Sequence, residues 1–335
     1  MACLVPASCW CDRAPRSGLD GGTSVADVAA ETGAASGGRG TDAASGDRET
    51  GAPSGTKVVL LGSGTPRADP DRAGPAVAIV VSDRAYLVDC GTGVVRRAAE
   101  AHRRGVTALD VRRLSRVFIT HLHSDHTLGL ADLMLTPWVL GREDPLELVG
   151  PPGLSEMVEH IGRAYRQDIE VRARGGEGSD PAAARAVVRE VEPGEVYRDE
   201  LVRVRAFSVR HGSWPVAYGY RFETRDRVIV VSGDTAPARA VVEACDGCDV
   251  LVHEVYARAG FDQLPPSGRA YHSSFHTSTR ELAELAREAR PGLLVLYHQL
   301  TWSGRGVPVD EAVLLAEMRD LYDGRVVSGR DLETY

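Results

Sequence analysis

The sequence predicts a mixed α/β fold in which two packed β-sheets carry helices on their outer faces, and three observations predict it. From Lys57 onward, short runs rich in β-branched residues recur between Gly, Pro and Asp: KVVLLG, VAIVV, AYLVD, RVFIT, VRVRAFSV, YGYRF, RVIVVSG, DVLVHE and LLVLYH. Runs of this kind bounded by turn residues read as strands. The early runs follow one another across turns, whereas the later ones are separated by stretches with helical spacing, an order that suits two sheets covered by helices. The clearest helix is Ser278 to Arg290, where Ser278 and Glu281 form a capping-box pattern and Leu282, Leu285, Ala286 and Ala289 keep helical spacing.

Taken in chain order, residues 1 to 55 are dominated by Gly, Ala, Ser, Asp and Thr, with no periodicity and too little apolar surface to offset the entropy of ordering. A disordered leader is expected there, followed by one folded domain over residues 56 to 335. The opening MACLVPASCWCDRAPR has neither the basic start nor the apolar core of a secretory signal, so a cytoplasmic location is expected. No apolar run is long enough to span a bilayer. The glycines of LGSGTP fit no P-loop spacing and read as a tight turn. Six cysteines show no disulfide framework, and Cys245 and Cys248, a lone CxxC, read as two buried thiols in a reducing compartment. The formal net charge of −8, with arginines alternating with acids, argues against nucleic acid as a partner.

Chemistry concentrates where RVFIT runs into HLHSDH: His121, His123, Asp125 and His126 lie within six residues at a strand end. Neutral imidazole and carboxylate are zinc ligands, and an HxHxDH loop can turn two of its side chains to one metal and two to another. One loop cannot fill two metal spheres, so further ligands are required. His211 follows VRVRAFSV, Asp234 follows RVIVVSG and His298 ends LLVLYH, each at the carboxyl end of a separate strand. Asp89 in LVDCGTG reads either as a carboxylate orienting a ligand imidazole or as a plain turn aspartate.

These motifs, read in order with SVRHG, YGYRF, VSGDT, LVHE and FHTSTRELA, resemble the ribonuclease Z branch of the metallo-β-lactamase superfamily, including its arylsulfatase-like members. The resemblance covers nearly everything after Lys57. It implies a four-layer αββα sandwich and two Zn2+ ions, with Mn2+ or Fe2+ as alternatives. One ion would be held by His121, His123 and His211 and the other by Asp125, His126 and His298, with Asp234 bridging. Asp125 would also aim the attacking water. It further implies that Glu254 and His276 act on the leaving group, His276 as a protonated acid supported by the carboxylate against the positive end of the following helix. Homodimers are common among such proteins.

Ribonuclease Z proper carries a long tRNA-gripping arm between its GYR and GDT motifs, where this chain has only the eleven residues Phe222 to Ser232, enough for a hairpin. GSGTPRADPDRAGPA, LTPWVLGREDPLELVGPPG and LYHQLTW resemble the arylsulfatase-like members instead. The expected reaction is therefore hydrolysis of a small sulfate or phosphate ester, with Trp138, Trp214 and Trp302 as walls for an aromatic leaving group. Two alternatives stand beside it: cleavage of RNA at tRNA 3′ ends, and the lactonase or thioesterase chemistry of the same fold.

Overall fold

The structure, a computed structural model, describes residues 55–176, 180–302 and 309–335. The expected leader over residues 1 to 55 lies, save for Gly55, outside the described residues.

The first sheet runs in chain order through β1 (Lys57–Gly62), β2 (Ala76–Val81), β3 (Arg84–Val88), β4 (Arg116–Phe118), β5 (Leu146–Gly150) and β6 (Ala186–Glu190). It is antiparallel from β1 to β3 and parallel from there on. The second contains β7 (Gly194–Arg198), β8 (Arg203–Ser208), β9 (Tyr218–Glu223), β10 (Val228–Val231), β11 (Val250–Tyr256), β12 (Leu293–Leu300) and β13 (Val326–Ser328). Here β7 to β10 are antiparallel and β10 to β13 parallel. The first half of the chain also holds α1 (Val94–Arg103), α2 (Ser124–Thr127), α3 (Leu130–Val139), α4 (Leu154–Ala164) and α5 (Arg166–Gly175). The second holds α6 (Arg239–Cys245), α7 (Arg258–Phe261), α8 (Pro266–Phe275), α9 (Thr279–Ala289) and α10 (Glu311–Leu321).

Strand side chains alternate between two faces, and that alternation sorts this chain's apolar residues into layers. Along β1, Val58 and Leu60 join the core between the sheets, while Val59 and Leu61 pack outward with residues of α1, α3 and α4. Along β12, Val295 and Tyr297 enter the inter-sheet core and Leu294 and Leu296 pack under α6, α9 and α10. Both faces of the central strands are thus covered: β2 is an unbroken apolar run, and β11 is buried along its whole length although it carries His253 and Glu254. The result is two mixed sheets flanked by helices, as expected. No helix among the described residues is long and apolar enough to cross a membrane.

The helix expected over Ser278 to Arg290 is α9, with both hydrogen bonds of its capping box formed and Arg290 ending it in the left-handed region. Phe222 to Ser232 indeed form the β9–β10 hairpin. Two expectations are corrected. The LGSGTP glycines do not make a tight turn: a Cβ on Gly62 would fall 1.8 Å from the Gly74 carbonyl oxygen, so glycine there permits one backbone to lie against another. Cys245 and Cys248 are buried but are not separate thiols; they form a disulfide, because Asp246 and Gly247, both at positive φ, fold the end of α6 back on itself. Cys90 is a free, buried thiol.

Candidate metal centre

The carboxyl ends of β4, β8, β10, β11 and β12 meet at one place. The short β4 delivers His121 and His123, and α2, which follows at once, carries Asp125 and His126 back over the same spot. Room for that return comes from glycine: a Cβ on Gly91 would lie 2.6 Å from the Asp125 carbonyl oxygen and 2.3 Å from the Gly74 carbonyl carbon. His298 owes its position to a bulge. Glu254 pairs with Tyr297 and Val255 with Gln299, leaving His298 as an extra residue with φ 43°. Such a bulge re-aims a side chain that regular alternation would send elsewhere.

All seven expected ligands are brought together. His121, His123 and His211 form one group; Asp125, His126 and His298 form another; Asp234 belongs with His121 and His126 and also with His211 and His276. His121 Nε2 and His211 Nε2 lie 2.9 and 3.0 Å from His123 Nδ1. Asp125 Oδ2 is 3.2 Å from His298 Nε2 and 3.6 Å from His126 Nε2. Asp234 stands between the groups, one oxygen 3.4 Å from His126 Nε2 and the other 3.4 Å from His298 Nε2 and 4.0 Å from His211 Nε2.

Surrounding hydrogen bonds fix which nitrogen of each ring faces inward. Asp89 accepts from the Thr120 amide, the Thr120 hydroxyl and His126 Nδ1. With its hydroxyl proton committed to Asp89, Thr120 accepts from His121 Nδ1 at 3.0 Å. His211 Nδ1 donates to the Phe275 carbonyl. Nε2 of His121, His126 and His211 therefore faces the centre, bare in His121 and His211 and freed in His126 when a metal displaces its proton, the orientation a metal ligand needs. Asp89, left open between two roles by the sequence, sits in the orienting one. Thr120 and the Phe275 carbonyl went unnoticed in the sequence. Thr120 could have been found from its place directly before the first histidine, whereas a backbone acceptor leaves no sequence signal.

Charge and burial act in opposition here. Burial holds His211 at about 4 and pushes His121 well below the ordinary imidazole value. For His126 and His298 burial also opposes the charge, but Asp234, aided by Asp89 and Asp125 respectively, outweighs it and both are raised. Burial likewise disfavours the Asp234 carboxylate, yet His298 and His126 keep it well below the usual range. The buried Nε2 of His126 and Oδ1 of Asp234 have no hydrogen-bond partner. Inward lone pairs, two buried carboxylates and orphaned donor atoms together suit a divalent metal such as zinc.

Beside this centre, His276 Nδ1 and Glu254 Oε2 face each other at 3.3 Å, both buried and neither with another hydrogen-bond partner. The other Glu254 oxygen accepts from the Thr277 amide at 2.8 Å. Their protonation differs from expectation. Burial, followed by Asp234, raises Glu254 well above the usual carboxyl value, and burial lowers His276 to about 4. Burial thus favours the uncharged forms of both, a carboxylic acid beside a neutral imidazole, over the charged pair that the resemblance implies. His276 also caps the carboxyl end of α8, so the helix dipole of α9 is not the only one acting on it.

Of the three tryptophans expected as walls, Trp214 is at the site, its Nε1 2.5 Å from His123 Nε2. Trp302 packs nearby against Tyr256, Phe261 and His272. Trp138 is fully buried beside Ala183 and Ala184 and donates to the Asp180 carbonyl, so it is a core residue. A cavity of about 1000 Å³ between α4, α5 and β6 is lined by none of the clustered residues. Another, of about 750 Å³, reaches Ser124 and Asp125.

Comparison with known proteins agrees with this geometry. The model of the beta-lactamase superfamily domain matches residues 84–299. The ribonuclease Z of Mycobacterium bovis (strain BCG / Pasteur 1173P2) is 35% identical over 280 residues, covering 82% of this chain and 96% of that protein. The ribonuclease Z of Mycobacterium sp. (strain KMS) is 38% identical over 248 residues, covering 73% and 84%. Among solved structures, the metallo-beta-lactamase fold protein YhfI from Bacillus subtilis superposes with a TM-score of 0.62 at 19% identity, over 84% of this chain and all of that one. The short form of human tRNase Z gives 0.62 at 23% identity, over 83% and 98%.

Proposed function

The chain belongs to the beta-lactamase superfamily and, within it, to the ribonuclease Z branch, and from that premise we propose that it is a metal-dependent phosphodiesterase that cleaves RNA at a 3′ extension. This reverses the ranking expected from the missing arm. The relatives named ribonuclease Z match over nearly their full length, whereas nothing comparable supports a sulfate ester. The observation that carries the reading is the acid pair Glu254–His276 beside the two ligand groups. Expulsion of a ribose alkoxide needs a proton donor, while an aryl sulfate leaving group needs one far less.

In this reading His121, His123 and His211 would hold one zinc ion, Asp125, His126 and His298 a second, and Asp234 would serve both; bound there, the metal would supply an activated water with a pKa of about 7 and positive charge for a phosphoryl group. The protein's own residues do the rest. Asp125, buried beside His126 and His298, would be the acceptor that orients the attacking water. His276 gives its Nε2 proton to the departing ribose oxygen and takes the Glu254 proton on Nδ1, which leaves a neutral imidazole and a carboxylate for the next turnover to reprotonate. Trp214 and Phe275 flank His123 and screen the centre from water.

Zinc-loaded protein should cleave a 3′-extended precursor tRNA and bis-aryl phosphodiesters, with little turnover of aryl sulfates. Turnover of aryl sulfates with no cleavage of the precursor would reverse the assignment.

A further inference from the structure

We propose that the arginine-lined cleft between α1 and residues 65–74 is the track along which the sugar-phosphate backbone of the RNA substrate enters the site. The inference rests on the phosphodiesterase reading and adds where this chain grips a polymer. The cleft, about 750 Å³, includes Ser124 and Asp125 in its lining, so it borders the candidate metal centre at one of the expected ligands. Six arginines line it against three carboxylates, one of them Asp125 itself; Arg72 and Arg97 are engaged by Glu311 and Asp331 beside the cleft, which leaves Arg67, Arg96, Arg103 and Arg104 as the groups that would meet a ligand.

The spacing on α1 has a purpose that helix stability does not explain. Arg96 and Arg103, and likewise Arg97 and Arg104, are seven residues apart, which places guanidinium groups on one face at two levels about 10 Å apart. Basic residues at the end of a helix complement its dipole, which accounts for Arg103 and Arg104; Arg96 and Arg97 lie near the opposite end, where the dipole disfavours cations and the first turn of α1 has no acidic residue, their partners being Asp132 and Asp331 from elsewhere in the fold. The side chains of Arg96, Arg103 and Arg104 are 78%, 77% and 58% exposed. Arg103 and Arg104 share the single carboxylate of Glu100, and Arg96 leans on Asp132. Exposed pairs of this kind are weak and exchange readily for phosphate. Across the cleft the Arg67 guanidinium donates to the Thr301 carbonyl, at 3.5 Å.

A small ester carries one charge and needs no such strip, whereas an RNA brings a phosphate at every nucleotide. The β9–β10 hairpin is too short to grip at a distance, so the body of the domain has to supply the contacts.

The test uses a fluorescent hairpin RNA with a single-stranded 3′ extension, its binding followed by anisotropy in EDTA at several salt concentrations. Arg103→Gln/Arg104→Gln is expected to weaken binding at least tenfold and to make the slope of log affinity against log salt shallower by about 1 to 2. Arg103→Lys/Arg104→Lys should keep the slope. Arg163→Gln/Arg166→Gln, the same charge change away from the cleft, should leave affinity and slope as in the parent protein. In zinc-loaded protein the ratio of kcat/KM on RNA to that on a bis-aryl phosphodiester should fall at least tenfold for the cleft variant, through KM. If the parent binds and cleaves the RNA and the glutamine variant binds with the same affinity and slope, the track is elsewhere and only this inference falls. If the parent hydrolyses the bis-aryl diester but does not bind the RNA, the assignment of an RNA substrate falls with it.

Discussion

Asp89 touches no candidate metal position, yet three of its contacts decide how the centre is presented. By accepting from His126 Nδ1 and from Thr120, which in turn fixes His121, one carboxylate sets the inward nitrogen of two candidate ligands. Asp89→Asn should therefore lower zinc affinity about 10- to 100-fold, read by competition with a chromophoric chelator; unchanged affinity would mean the rings are held by packing alone. Glu254 acts differently. In the proposed mechanism its raised carboxyl is the proton source behind His276, so Glu254→Gln should cut kcat on RNA by about 10²- to 10⁴-fold at unchanged zinc content. The loss should be much smaller on a bis-aryl diester carrying nitro groups, whose leaving group needs no proton. Equal losses on both substrates would assign Glu254 a structural role.

The elements that present these side chains depend on close backbone approaches. α2 lies directly against Gly91, and a methyl group there would meet the Asp125 carbonyl oxygen and the backbone of Gly74. Backbone atoms cannot swing aside like a side chain, so Gly91→Ala should cost about 1–3 kcal/mol in urea unfolding and displace Asp125 and His126. A stable Gly91→Ala protein with full zinc affinity would show that α2 adapts. Legibility follows the same physics. Most of the nine runs became strands covered on two faces, β8 being half-exposed but framed by its alternating apolar residues, and α9 was readable from its cap and spacing together. β6 and β7 were not anticipated because AVVRE and GEVYR are half-exposed and carry charges that blur the alternation. The seven ligand-type residues were visible in the sequence as chemistry at strand ends. The bulge that aims His298 was not, since it is defined by register with β11 and leaves no mark on LLVLYH. Trp138 was misplaced for a related reason: composition marks a tryptophan as useful for a wall but does not say which layer it enters.

For the molecule as a whole, collecting so many titratable groups in one buried place links folding to pH. His211, His253 and His276 are held at about 4 chiefly by burial, whereas an unfolded chain protonates them near 6.5. Between those values the unfolded state binds protons that the folded state refuses, so their contribution is complete above about 6.5 and is lost as pH falls through about 4. His121 and His123, also lowered, act in the same direction. His126 and His298 are raised and oppose it, since they stabilise the fold below about 6.5 and lose that contribution as pH rises through their folded values. With His272, which burial also lowers to about 4, six lowered imidazoles against two raised ones make acid destabilising on balance. The Tm of chelator-treated protein should fall steadily from pH 7 to pH 4. Zinc, which needs unprotonated imidazole, should raise Tm at pH 7.5 by a margin that closes by about pH 5 as protons compete for the same lone pairs. A chelator-treated protein whose Tm held constant or rose towards pH 5 would mean that the raised pair dominates. The buried cluster would then be built to hold protons rather than to give them up to a metal.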